Sequence, residues 1–329
     1  MSLGKALGQS QVNVQPAPGV VGDFCSANPR FSVLAGPGGL IAGPLGAYVG
    51  RFAWTAYSAV DDDGAPADVN NFGSGLVAGF IHREQQGLIT EYLEVASLKV
   101  PAGFPMTVMD GGDFWVINSG ATTAYPGMKA YARYADGLAT FGATGAPGTA
   151  SATGSIGAGA GASAVGTIVD NLFTATGTLT GTFVAGGVLT GTNVATGTAI
   201  VSQVLPLIAG EALGGLGRYT VNKPGQNVAS TLITESWGVF TAASALSGTF
   251  GPGDTLTGPG GSSDPVATGT VIISQLTGTP GGLGTYVVNL TQTSTSATIT
   301  AGTSIETKWY CRSTGAAGEL VKISSQPQG

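Results

Sequence analysis

Charge is scarce in this chain of 329 residues: Asp, Glu, Lys and Arg make up 9% of it, against about 25% in an ordinary soluble protein. Its 12 Lys and Arg, in a chain of net charge −6, form no basic patch. That excludes nucleic acid as a partner, because phosphate neutralisation needs clustered cations. Histidine occurs once, at His82, and no Gly-x-Ser-x-Gly elbow accompanies it, so a Ser/His/Asp triad has no footing. Ile81-His82-Arg83-Glu84 reads as a strand end reaching solvent. One histidine and two cysteines, Cys25 and Cys311, cannot supply the spacings of a zinc centre or staple an extracellular scaffold. They read as two buried thiols of a chain folded in reducing cytosol. No apolar run approaches the ~18 residues of a membrane span. No apolar h-region follows Met1-Ser2-Leu3-Gly4-Lys5, so a conventional secretory signal is not expected. Helix starts are absent too; the nearest stretch, 84–98, lacks caps.

What the chain has instead is glycine, 56 residues of it, between short strand-like runs. Such runs are 31–34, 50–54, 76–81, 104–109, 113–117 and 128–134. Residues 142–166 contain almost only Gly, Ala, Ser, Thr and Pro, and that composition reads as a flexible linker. Next comes a duplication. Leu172-Phe173-Thr174-Ala175 recurs as Val239-Phe240-Thr241-Ala242, and Gly181-Thr182-Phe183 as Gly248-Thr249-Phe250. Leu189-Thr190-Gly191 recurs as Leu256-Thr257-Gly258. Gly214-Gly215-Leu216-Gly217-Arg218-Tyr219 recurs as Gly281-Gly282-Leu283-Gly284-Thr285-Tyr286. A tandem pair of small β modules points to modular display rather than catalysis. The repeats are nearly uncharged, carrying only Asp170, Glu211, Arg218, Lys223, Glu235, Asp254 and Asp264 across 165–300.

After residue 303 the texture reverts to charged, alternating strands at 305–311 and 319–324. Two strands make no stable domain alone, so they must pair with the first region. The expected fold is all-β: a small barrel or sandwich built from 1–141 plus 304–329, interrupted by two tandem sandwich-like repeats at 167–235 and 236–303.

Candidate chemistry is thin. Asp61-Asp62-Asp63-Gly64 is the densest oxygen cluster, with Asp61 and Asp63 as its candidate metal ligands. Its spacing does not fit the calcium-binding loop, and a solvated turn is the better reading. Glu91 with Glu94, and Asp110 with Asp113, are acid pairs near in sequence without the marks of a glycosidase pair. The matched aromatics Phe173/Phe240, Phe183/Phe250 and Tyr219/Tyr286 read as core packing, since each module needs the same interior. No cofactor is called for.

Several further segments carry a resemblance: Gly22-Asp23-Phe24, Asn28-Pro29-Arg30, Leu34-Ala35-Gly36-Pro37-Gly38-Gly39-Leu40, Gly50-Arg51-Phe52-Ala53-Trp54, Gly79-Phe80-Ile81-His82-Arg83 and Gly112-Asp113-Phe114-Trp115-Val116. With Glu306-Thr307-Lys308-Trp309-Tyr310 and Gly318-Glu319-Leu320-Val321-Lys322-Ile323-Ser324, they resemble the capsid cement, or decoration, proteins of tailed bacteriophages. The repeats look like Gly/Thr-rich modules of phage virion proteins. The resemblance implies a non-enzymatic virion protein, assembled in the host cytoplasm. It would bind the major capsid protein on the outer surface, as a homo-oligomer (dimer or trimer), with 1–141 plus 304–329 anchoring and the repeats projecting. The alternative is a tail fibre or adhesin whose repeats bind host-surface glycans.

Overall fold

The computed structural model describes residues 19–60, 66–84, 98–159, 161–204, 207–258 and 266–326. Among them no helix occurs and every regular element is a strand. The first eleven strands are β1 (Phe31–Ser32), β2 (Ile41–Ala42), β3 (Ala47–Tyr48), β4 (Phe52–Val60), β5 (Pro66–Asn70), β6 (Gly79–Ile81), β7 (Lys99–Val100), β8 (Val108–Gly111), β9 (Asp113–Ile117), β10 (Lys129–Arg133) and β11 (Ala139–Gly142). Then follow β12 (Thr149–Ala158), β13 (Ala162–Asp170), β14 (Leu172–Gly181), β15 (Val188–Thr190), β16 (Ile200–Gln203), β17 (Gly217–Val221) and β18 (Gln226–Ser236). The last are β19 (Gly238–Ser247), β20 (Thr255–Thr257), β21 (Ile272–Gly278), β22 (Gly284–Val288), β23 (Ser294–Gly302), β24 (Ser304–Cys311) and β25 (Leu320–Ser324).

A split domain joins the two ends of the chain. Its six-stranded sheet runs β1-β8-β6-β4-β5-β2, and its five-stranded sheet runs β11-β10-β24-β25-β9. β24 and β25, which follow the duplication, thus lie between β10 and β9, which precede it. The two sheets close on Phe52, Phe80, Phe114 and Trp309. Period-two alternation sends Phe52 and Trp54 of β4 into this core and Ala53 to the opposite face. There a second cluster, including Leu40, Val69, Ile81 and Val108, is capped by the two-stranded ribbon β3-β7. The six-stranded sheet is therefore buried on both faces.

The duplicated part forms two modules with one strand plan. Module 1 has the order β15-β18-β13-β14-β17-β16, and module 2 has β20-β23-β12-β19-β22-β21. In each, the edge strands meet through backbone hydrogen bonds, Leu189 N to Thr198 O and Ile200 N to Gly187 O in one, Leu256 N to Thr270 O and Ile272 N to Asp254 O in the other. Each sheet thereby closes into a small barrel whose interior is filled by side chains.

Residues 142–166, expected as a flexible linker, supply the central strand of each module: β12 pairs with β19 and β23, and β13 with β14 and β18. The repeat boundaries expected at 167–235 and 236–303 shift accordingly. Module 1 runs from Ala162 to Ser236 without interruption, whereas module 2 is β12 plus 238–302. Module 1 is inserted into module 2, as module 2 is inserted into the split domain. The physical reason is volume. Gly154 and Gly166 lie beneath the rings of Phe240 and Phe173, where an added Cβ would come within 3.0 Å and 2.6 Å of ring carbons. The partner strand brings much of the apolar bulk, so apart from Ile156 and Ile168 the inward positions of the central strands can be Ala and Gly.

Candidate functional site

Three places in the described structure hold unusual chemistry or shape. The first is the interior of the modules. Phe173, Phe183 and Tyr219 form an aromatic triad that Phe240, Phe250 and Tyr286 reproduce; the two Phe pairs lie 5.3 and 5.2 Å apart at 79° and 75°. Each tyrosine hydroxyl donates to the carbonyl four residues earlier, Gly215 or Gly282. All six rings are at most 3% exposed, so they pack the core and offer no stacking face.

Beside each triad lies a buried carboxyl that the sequence reading did not single out. Glu235 and Asp254 are each 1% exposed. Glu235 Oε1 accepts from Val184 N at 2.9 Å, and Asp254 Oδ2 from Gly251 N at 2.7 Å. The second oxygen of each carboxyl has no partner. Burial pushes each of these carboxyls up to about 7, against the lowering effect of its backbone donor and, at Asp254, of Arg133. Val184 and Gly251 are equivalent positions in the duplication, yet the two acids are not. Leu189 pairs with Glu235 while its counterpart Leu256 pairs with Ala301. Likewise Asp254 corresponds to Gly187, whose added Cβ would lie 1.9 Å from Glu235 Oε1. One partly buried N–H is thus satisfied in both modules by a carboxyl arriving from opposite sides. Comparing the repeats for exchanged rather than shared residues would have found it.

The second place is the pair of joints. Between the modules, Trp237 lies over Gly159, whose amide donates to the Trp237 carbonyl at 2.8 Å. Between module 2 and the split domain, Thr303 N donates to Gly148 O at 2.9 Å and Gly148 N to Ser304 Oγ at 2.7 Å. Gly145 N and Ala146 N donate to Glu306 Oε2 and the Tyr131 hydroxyl, fixing the start of the expected linker onto β10 and β24.

The third is a cavity of about 530 Å³ where the split domain and both modules converge. Leu45 and Phe72 line it from the split domain, Val201 and Val221 from module 1, and Pro252 and Ile273 from module 2. Asp68 and Asn70 of β5 are on its wall.

The residues weighed for catalysis are dispersed. His82, expected to reach solvent, is tucked in: its side chain is 13% exposed, its ring lies 4.8 Å from that of Phe24, and Nε2 meets Glu84 at 3.0 Å. Asp110 pairs with Lys308 on the surface. Asp113 accepts from Ser26 and Asn28, each at 2.6 Å; burial pushes it up, but hydrogen bonds from Ser26, Ser324 and Asn28 outweigh burial and hold it below the usual carboxylate range. Asp61, Asp63, Glu91 and Glu94 lie outside the described residues. Among the described residues no three His, Cys, Asp or Glu side chains are grouped to hold a metal. Cys311 is buried, Cys25 is half-buried, and both are free thiols. Burial, with the nearby Asp113, pushes Cys25 up to about 11, which leaves it a poor nucleophile.

The chain is thus all-β, poor in charge, and holds Glu235 and Asp254 as buried structural groups. Residues 8–203, more than half of the chain, match the XM1 gp53 minor capsid protein family, and the chain belongs to that family. It is a phage capsid protein. The match runs through β1–β11, β12 and module 1 as far as β16, so it includes central strands of both modules. No curated protein and no solved structure matches the chain.

Proposed function

We propose that this minor capsid protein binds the outer capsid surface through the split domain and cements neighbouring capsid subunits, while the nested modules project outward. The supporting observation is the nesting. The split domain is closed by strands on both sides of the modules, and the modules leave it through one pair of chain crossings at Gly148 and Thr303. The major capsid protein is the partner, and the chain acts as a homo-oligomer, a dimer or trimer, without a catalytic step or cofactor. Surfaces low in charge associate without desolvating ions, and many copies on one lattice hold by avidity.

The test joins Gly148 to Thr303 and removes 149–302. The shortened protein is expected to fold, to bind particles through the split domain and to protect them against heat rupture. An unfolded product, or a folded one absent from particles, defeats the proposal. The buried aromatic triads offer no stacking face to a glycan; glycan binding by the purified protein and its placement on tails would favour the adhesin reading.

A further inference from the structure

The three-way cavity, of about 530 Å³, falls within the volume range of ligand sites, about 300–1,000 Å³. Three of its apolar side chains are open to water: Leu45 is 58% exposed, Phe72 37% and Val201 36%. Each would bury apolar area if the cavity were filled. Among the described residues Asp68 is its only charged lining residue, and no Lys or Arg lines it. Burial pushes the Asp68 carboxyl up, and no cation offsets that shift. The cavity therefore presents one carboxyl in an apolar cleft whose described lining supplies no cation. A lysine on an apolar loop complements these features. Its aliphatic stem lies along the walls, and its ammonium reaches the carboxylate.

We infer that this cavity receives a lysine-bearing apolar loop of a neighbouring capsid protein, whose ammonium pairs with Asp68. The inference rests on capsid attachment as proposed above and adds the surface and the partner's chemistry. Because the walls come from the split domain and both modules, such a loop also fixes the modules' angle to the split domain on the particle.

The test uses intact particles and the free full-length protein. Carbodiimide treatment of particles should cross-link Asp68 to a lysine of another capsid protein, read by mass spectrometry of the joined peptides. Labelling of Asp68 by carbodiimide and glycine ethyl ester should be at least ~5-fold slower on particles than in solution, as for a site closed by its ligand. Asp68→Asn should lose the cross-link, keep the wild-type melting temperature and bind protein-depleted particles ~30-fold more weakly, in line with loss of one partner of a buried charge pair. Leu45→Asp, at an exposed position that leaves folding intact, should weaken binding as well. Equal labelling of Asp68 on particles and in solution overturns the inference while leaving capsid attachment standing, as does a cross-link only to a lysine of a second copy of this chain. Absence of the wild-type protein from particles overturns capsid attachment itself.

Discussion

The exchanged carboxyls of the two modules make a sharp prediction, because the chain already contains both solutions to one packing problem. Glu235→Ala in module 1 removes the acceptor of Val184 N, and an unsatisfied buried donor costs about 1–3 kcal/mol. Gly187→Asp alone places a Cβ 1.9 Å from Glu235 Oε1, an overpacking error worth about 1–3 kcal/mol. Combined, the two substitutions rebuild the module 2 arrangement, with an aspartate three residues after the donor, as Asp254 is to Gly251, and an alanine opposite, as at Ala301. The preceding glycines have the same backbone, with φ 88° at Gly186 and 87° at Gly253, so an aspartate at 187 starts from the right geometry. The double variant should lie within about 1 kcal/mol of wild type, giving a coupling energy on the order of 2–4 kcal/mol. Several bodies in one chain rule out a single unfolding free energy. The assay is hydrogen exchange of peptides covering β15 and β18, at pH 5, where both buried carboxyls are protonated. A double variant as destabilised as the sum of its parts would refute the equivalence of the two sites.

The same carboxyls set a pH dependence. Both are raised to about 7 in the fold, from 4.5 for Glu235 and 3.8 for Asp254, so their contribution is full below about 4 and is lost as pH rises through about 7, because the fold binds the proton more tightly than the unfolded chain. Module stability should therefore fall by a few kcal/mol between pH 5 and 8, and Glu235→Gln with Asp254→Asn should flatten the profile, read by the same exchange experiment. Gly166→Ala drives a methyl to 2.6 Å from the Phe173 ring and from the Thr174 carbonyl; a loss of at least about 2 kcal/mol in module 1, with an unchanged split domain, is expected from peptide-resolved exchange. Replacing 159–237 by a two-residue turn should leave module 2 folded, because Ala158 already pairs with Gly238 and β12–β19 becomes an ordinary hairpin. Circular dichroism and exchange of β22 check it.

The strands around the duplication were legible because they alternate charged or aromatic residues with apolar ones: Lys129–Arg133 and Ser304–Cys311 show their sheet period in sequence. β12 and β13 were hidden because three of the four inward residues of each, Ala150, Ala152 and Gly154 in one and Ala162, Ala164 and Gly166 in the other, are as small as their outward ones, with Ile156 and Ile168 the exceptions. Hydrophobic contrast vanishes where the partner strand brings the bulk. The signal was nonetheless present as likeness between the two segments, Ala150-Ser151-Ala152-Thr153-Gly154-Ser155-Ile156 against Ala162-Ser163-Ala164-Val165-Gly166-Thr167-Ile168. Neither the exchanged carboxyls nor the three-way cavity could be read from one strand at a time, since both depend on which loops meet.

Nesting also sets a timetable for synthesis. As the chain leaves the ribosome, module 1 is the first body with all its strands present, and module 2 can close only after β23 has emerged. The split domain must wait for β24 and β25, having held β1–β11 open throughout. An unfinished or truncated chain carries finished modules on an open sandwich. The order of the strands is in this sense a check on completeness, in which the split domain closes only with the last strand.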